Sequence, residues 1–298
     1  MINVGGLILK NPVIAASGTF GFGREFSEYM DLNRLGGISV KGLTLEPRAG
    51  NKTPRICETP SGILNSVGLQ NPGVHEFIRT EIPFLRQYDT MIMANVAGNS
   101  FSDYEQMAEI LNEADIDSME LNVSCPNVKK GVAFGQDPAM LEELTKRVKD
   151  KFNKPLFVKL TPNVTSVVDT AKAAEAGGAD GVSLINTLLG MSIDIFRRRP
   201  VLANNTGGLS GPCVKPIAVR MVHEVYRNVK IPIIGMGGIQ TGEDAIEFLL
   251  AGASCVMVGT ANFVEPDACI KVAEGIEEYM RQTKVKDIRE IIGCLELN

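Results

Sequence analysis

One stretch of the chain joins a strand-like pattern to a reactive side chain: Met119-Glu120-Leu121-Asn122-Val123-Ser124-Cys125-Pro126-Asn127. Met119, Leu121 and Val123 alternate with Glu120 and Asn122, which is the period of a strand. Asn122 therefore reaches into whatever site lies at the strand's carboxyl end. Pro126 stops the ladder, so Cys125 sits just beyond it. A thiol in a partly exposed polar loop can act as a nucleophile or as a proton acceptor. For any single cysteine an ordinary reduced thiol is the competing reading.

Other strand-like segments also end in polar or small residues: Ser17, Lys41, Asn95, Lys159, Asn186-Thr187, Gly237-Gly238 and Gly259-Thr260. Each alone reads first as a cap or turn residue. As a set they resist that reading, because buried amides and lysines are costly unless paired. Three asparagines offer donors and acceptors without charge, which suits a flat ligand with amide edges. Glycine pairs after the last two strands let backbone N–H groups approach an anion closely. A phosphate pocket beside two lysines and several amides fits flavin mononucleotide, and Lys159 would place positive charge near a ring that gains negative charge on reduction. Gly235-x-Gly237-x-x-Gln240 breaks the dinucleotide fingerprint, so no nicotinamide site is read in this chain. A competing chemistry makes Lys159 a Schiff-base lysine of an aldolase, which leaves Cys125 and the asparagines without a role.

These residues need elements to position them. Ile2–Val4 and Leu7–Leu9 read as a hairpin across Gly5-Gly6. Strands follow at 13–16, 37–41, 90–96, 119–123, 155–160, 181–185, 231–235 and 254–258. Helices are expected at 25–32, 74–86, 103–113 (capped by Ser102, with Glu105 as in a capping box), 137–152, 166–176, 214–229, 241–250 and 266–282. Two long excursions, 42–70 and 188–212, interrupt the alternation. Excursions of that length are functional or disordered, and the apolar residues in the first favour an ordered lid. Eight strand–helix units imply an α/β fold, a (β/α)8 TIM barrel with an N-terminal hairpin and inserted active-site loops, over one domain. A doubly wound open sheet is the alternative.

The 298 residues are 44% hydrophobic and 22% charged, the balance of a globular protein. A net charge of -5 argues against a general nucleic-acid binder. No secretion signal and no long apolar run is evident, so a cytoplasmic protein without a membrane span is expected. The six cysteines are scattered, with no CxxC and no metal-ligand spacing, so no metal site is expected.

Glu120–Asn127 resembles the catalytic segment of the dihydroorotate dehydrogenases, as do Asn65–Gly73, Val40-Lys41-Gly42 and Ile233–Ile239, in order along nearly the whole chain. The likeness is to class 1B, the NAD-dependent type. Cysteine rather than serine at 125 is similar to class 1, and Asn65–Gly73 and the 186–212 excursion are similar to 1B more than to fumarate-using 1A. The resemblance implies oxidation of dihydroorotate to orotate in pyrimidine biosynthesis, with Cys125 as the base. It implies substrate contacts from Lys41, Asn65, Asn122, Asn186 and Thr187 and from the backbone of Ser66, Val67, Gly68 and Leu69. Flavin mononucleotide (FMN) would be held by Ser17, Lys41, Gly42, Asn95, Asn122, Lys159, Ile185, Gly211, Gly237, Gly238, Gly259 and Thr260. The scattered cysteines leave no place for an iron–sulfur cluster, so the cluster and FAD are expected on a partner electron-transfer subunit, in a heterotetramer of two catalytic and two electron-transfer subunits. Arg197-Arg198-Arg199 would help dock it, or is a solvated charge run. Other readings are a class 1A enzyme, another flavin pyrimidine reductase, or a non-catalytic phosphate-ligand-binding barrel.

Overall fold

Period-two alternation sorts the side chains of eight short strands between the barrel axis and a surrounding shell of helices. In the computed structural model, which describes residues 1–124 and 134–298, these strands are Val13–Ala15, Gly37–Ser39, Met91–Val96, Ser118–Asn122, Leu156–Lys159, Gly181–Leu184, Ile233–Met236 and Cys255–Val258. They pair in parallel, in chain order, and close into a barrel. Outward residues such as Ile92, Ala94, Met119, Leu121, Val158 and Val182 pack under the helices in the larger apolar cluster. Inward Ile14, Met91, Met93, Phe157, Ile234, Cys255 and Met257 form a second cluster with Val4, Leu7 and Leu9 of the N-terminal hairpin. The hairpin turns at Gly5 and Gly6, both at positive φ, and its apolar face covers one end of the barrel interior.

Towards the carboxyl ends of the strands the interior turns polar, with Ser39, Asn95, Glu120, Lys159 and Ser183 all buried. Parallel strands must be linked by crossovers. Helices Phe101–Asn112, Pro138–Lys149, Val167–Ala176, Lys215–Tyr226, Gly242–Ala251 and Ala268–Thr283 supply most of them.

Several helix boundaries differ from the sequence expectation. Residues 25–32 form no α-helix; two 3₁₀ turns, Phe26–Glu28 and Leu32–Arg34, take its place. Asp31 accepts from the N–H of Asn33 and starts the second turn there, so the local cap interrupts the helix. Helix Phe101–Asn112 is capped by Ser100, not Ser102. Ser100 Oγ accepts from the N–H of Asp103, and the Asp103 carboxylate, not Glu105, accepts in return from Ser100 Oγ and from the Asn99 N–H. Helical residues 74–85 contain a π segment, Phe77–Glu81, before Pro83. Proline has no N–H to continue the regular ladder.

The two excursions meet each other. Ile56–Thr59 and Gly62–Asn65 form a hairpin, and Leu188–Gly190 and Gly207–Ser210 complete a four-stranded antiparallel sheet. Arg199–Pro200 pairs with Ile193–Asp194 in a separate ribbon, with Phe196 at its exposed turn.

Candidate active site

A cleft of about 360 Å³ lies at the carboxyl ends of the barrel strands, lined by residues of the extra sheet. Small-molecule sites commonly occupy 300–1,000 Å³ (roughly). Its lining contains every site residue expected from the sequence that the structure describes. Ser17, Lys41, Gly42, Asn95 and Lys159 come from the barrel strands or the turns after them. Asn122, Ile185, Asn186 and Thr187 follow on the next ends. Gly211, Gly237, Gly238, Gly259 and Thr260 form one wall, and the loop Asn65, Ser66, Val67, Gly68 and Leu69 forms another. Cys125 lies outside the described residues.

The asparagines are held by one another. Asn186 Nδ2 donates to Asn122 Oδ1 at 3.2 Å and to Ser124 Oγ at 2.8 Å, while Asn186 Oδ1 accepts from the Thr187 N–H. The Tyr104 hydroxyl donates to the Asn122 carbonyl at 2.8 Å, fixing the end of that strand from the helix behind it. Asn163 Nδ2 donates to the Thr187 carbonyl and Asn163 Oδ1 accepts from the Leu189 N–H, so the second excursion leaves the barrel in a defined direction. Gly208 packs so closely on Thr187 that an added Cβ would stand 2.0 Å from its Oγ1.

Lys41 enters the cleft after Gly37–Ser39, its N–H tied to the Gly21 carbonyl. Burial lowers its pKa below the ordinary lysine value, and the Arg55 guanidinium lowers it further. An anion bound nearby would relieve both effects. Lys159 has a different neighbour, Glu120, whose Oε2 is 3.9 Å from its Nζ. Gly237 and Gly238 both adopt positive φ, +125° and +81°, a backbone that side chains rarely adopt. The Thr260 hydroxyl beside them donates to Ser210 Oγ at 2.9 Å.

The loop over the cleft depends on residues given no individual role from the sequence. Asn71 Oδ1 accepts from the N–H groups of Thr44 and Gly73, and its Nδ2 donates to the Leu69 carbonyl and to Thr44 Oγ1. Asn51 bonds the Ser66 carbonyl through its side chain and the Val67 carbonyl through its N–H. Glu120 is the other omission. Its signal was present in the sequence as a charged side chain alternating with apolar Met119 and Leu121 along the strand Ser118–Asn122.

Two buried side-chain atoms of the described residues have no partner within the protein, Ser66 Oγ and Asn95 Oδ1, and both residues line this cleft. Polar atoms left in that state are costly unless a ligand or water meets them. Among the described residues no group of His, Cys, Asp or Glu is placed to hold a metal ion, and no helix is long and apolar enough to cross a membrane.

The family model for dihydroorotate dehydrogenase matches residues 1–280. The chain belongs to the dihydroorotate dehydrogenase family. It is 62% identical over 295 residues to the protein named dihydroorotate dehydrogenase B (NAD(+)), catalytic subunit, of Alkaliphilus metalliredigens, covering 99% of this chain and 98% of that one. The protein of the same name in Alkaliphilus oremlandii is 63% identical, with the same coverage. That of Thermoanaerobacter pseudethanolicus is 57% identical over 298 residues, covering 100% of this chain and 99% of its own. The barrel and its cleft at the strand ends are thus those of a family member aligned almost end to end with these relatives.

Proposed function

We propose that the chain is the catalytic subunit of an NAD-dependent dihydroorotate dehydrogenase, oxidising dihydroorotate to orotate in pyrimidine biosynthesis. The observation that carries this reading is the convergence of four asparagines, two lysines and seven glycines with Thr260 on one cleft, in a chain with near-complete alignment to relatives of that name.

The cleft chemistry fits FMN. Gly237, Gly238 and Gly259 line it without side chains to obstruct a phosphate, and Asn95 Oδ1 is a buried acceptor awaiting a donor. Ser17, Lys41, Gly42, Asn95, Asn122, Lys159, Ile185, Gly211 and Thr260 would hold the remainder of the cofactor. When bound, FMN supplies the acceptor for the hydride leaving C6 of dihydroorotate. Cys125 takes the proton from C5 as a base. Lys41 meets the substrate carboxylate, which compensates a cation otherwise disfavoured by burial and by Arg55. Asn65, Asn122, Asn186 and Thr187 orient the flat ring through amide and hydroxyl contacts, and the backbone of Ser66–Leu69 closes over it to exclude water. Ordered donors and acceptors of this kind reduce the reorganisation needed at the moment of reaction.

The words "catalytic subunit" in the relatives' names support a second chain that carries electrons onward to NAD. The scattered cysteines at 57, 125, 213, 255, 269 and 294 support placing an iron–sulfur cluster, with FAD, on that chain, in a cytoplasmic assembly of two catalytic and two electron-transfer subunits. The purified protein is expected to be yellow and to bleach anaerobically on addition of dihydroorotate. NAD reduction should require the co-purifying iron–sulfur flavoprotein. A colourless protein that FMN cannot reconstitute would refute the assignment, and turnover with fumarate alone would refute the NAD-linked class.

A further inference from the structure

Glu120 has no part in the chemistry above, yet it is the only acidic side chain among the described residues that the fold buries, at 0% exposure. A carboxylate taken out of water persists where donors surround it. Glu120 Oε1 accepts from Ser183 Oγ at 2.5 Å, and Oε2 accepts from Ser39 Oγ at 3.0 Å and from Asn95 Nδ2 at 2.5 Å. Lys159 Nζ stands 3.9 Å from the same Oε2, with its side chain only 7% exposed. These four partners come from four different barrel strands, so the carboxylate is the hub on which the polar half of the barrel interior is assembled.

The hub dictates how Asn95 faces the cleft. The two ends of a side-chain amide are alike in shape, but a carboxylate can only accept. The Asn95 Nδ2 therefore turns to Glu120, and Oδ1 turns away. That oxygen is the buried atom without a partner, and a Cβ placed on Gly42, on the cleft wall, would lie 3.0 Å from it. One carboxylate thus aims an acceptor at the ligand and stands beside the cation on the cleft floor.

We propose that Glu120 is a positioning residue for the bound flavin. It keeps the Asn95 oxygen directed at a ring N–H donor, and it partly balances the Lys159 ammonium, which sets the charge felt by the ring. This rests on the flavin reading of the cleft.

The test uses flavin-loaded protein and reads the visible absorption and circular dichroism of the bound flavin, its midpoint potential and the FMN dissociation constant. Glu120→Gln keeps the volume, removes the charge and introduces an amide that seeks an acceptor, for which the Asn95 oxygen is at hand. The variant should show displaced visible bands and a higher midpoint potential, because the Lys159 charge is no longer balanced. Its FMN dissociation constant should rise roughly threefold to tenfold, the equivalent of one hydrogen bond. Asn95→Ala should weaken FMN binding in the wild-type background and add little in the Glu120→Gln background, the non-additivity expected of residues acting through one another. Should Glu120→Gln not fold, Ser183→Ala strips one donor from the same carboxylate while leaving Asn95 and Lys159 in place. The carboxylate then bears more fully on Lys159, and the potential should move downward.

A role in packing alone would lower the melting temperature and leave the bands, the potential and the additivity unmoved; that result overturns the proposal. Wild-type protein that takes up no FMN overturns the flavin reading itself. Flavin-loaded wild type with unshifted variants overturns only the role of Glu120.

Discussion

Asn71→Ala should disconnect the cleft loop from its support. The Asn71 side chain makes four hydrogen bonds to Thr44, Leu69 and Gly73. Alanine leaves the N–H groups of Thr44 and Gly73 without their acceptor and the Leu69 carbonyl without this donor. Each buried group so orphaned costs about 1–3 kcal/mol, and partial entry of water brings the expected total to roughly 2–4 kcal/mol. The backbone pairing of Asn71 with Arg48 survives the substitution, so the loss is confined to the clamp. Leu69 sharpens the effect, because it holds a left-handed backbone with φ 54°. That conformation costs a non-glycine residue about 1–2 kcal/mol, and the bond from Asn71 to its carbonyl offsets part of this. Urea unfolding should register the global loss. Hydrogen exchange at the amides of 66–70 should accelerate, and the dissociation constant for orotate should rise as the closed loop becomes a smaller fraction of the population. Asn71→Asp keeps the acceptors for both N–H groups but not the donor to Leu69, so it should loosen the loop while losing less global stability. A loss under about 1 kcal/mol with unchanged exchange would refute the clamp.

Gly259→Ala should bind flavin on the order of tenfold to a hundredfold more weakly, the worth of a backbone contact to a charged group, with the melting temperature nearly unchanged. The nearest atom to the new methyl is Ala16 Cβ at 3.6 Å, an ordinary contact; FMN titration against thermal melting separates the two effects. Lys41→Met should lose orotate affinity yet be more stable than wild type near neutral pH. The lowered Lys41 pKa means that the folded state binds fewer protons than the unfolded state between that pKa and the ordinary 10.5. Wild-type stability from this residue therefore rises with pH through the window. Melts taken from about pH 7 upward should show the advantage of the variant shrinking towards pH ~10.5, and a gap that widens would refute the burial argument. Cys125→Ala should slow flavin reduction by dihydroorotate by roughly 10²–10⁴ while FMN stays bound. Stopped-flow reduction at the wild-type rate would remove Cys125 from the role of base.

Much of the architecture is determined by local pattern. Alternation of Met119 and Leu121 with Glu120 and Asn122 is enough to assign faces, and in the structure the first pair packs outward while Glu120 points into the barrel and Asn122 reaches the cleft. Asp137-Pro138 and Thr241 start helices as their side chains dictate, since each cap bonds N–H groups within the next few residues. Where two local signals compete, pattern misleads. Ser100 and Ser102 both precede the same helix, and Asp103 decides between them by accepting in return from the Ser100 hydroxyl. Asp31 breaks the helix that the residues from 25 onward suggest.

What the tertiary structure alone decided concerns groups far apart in the chain. The excursions at 42–70 and 188–212 carry no strong strand signal of their own, and they become a sheet because each supplies the other's hydrogen-bonding edge. Glu120 has no meaning in the sequence beyond an ill-placed charge. Its donors lie at Ser39, Asn95 and Ser183, and only barrel closure makes them neighbours. The polar strand ends and the glycines after the last strands could be recognised as a site because backbone geometry fixes where strands end. The direction of each donor and acceptor within it could not, because that direction is set by partners that the chain brings together only when folded.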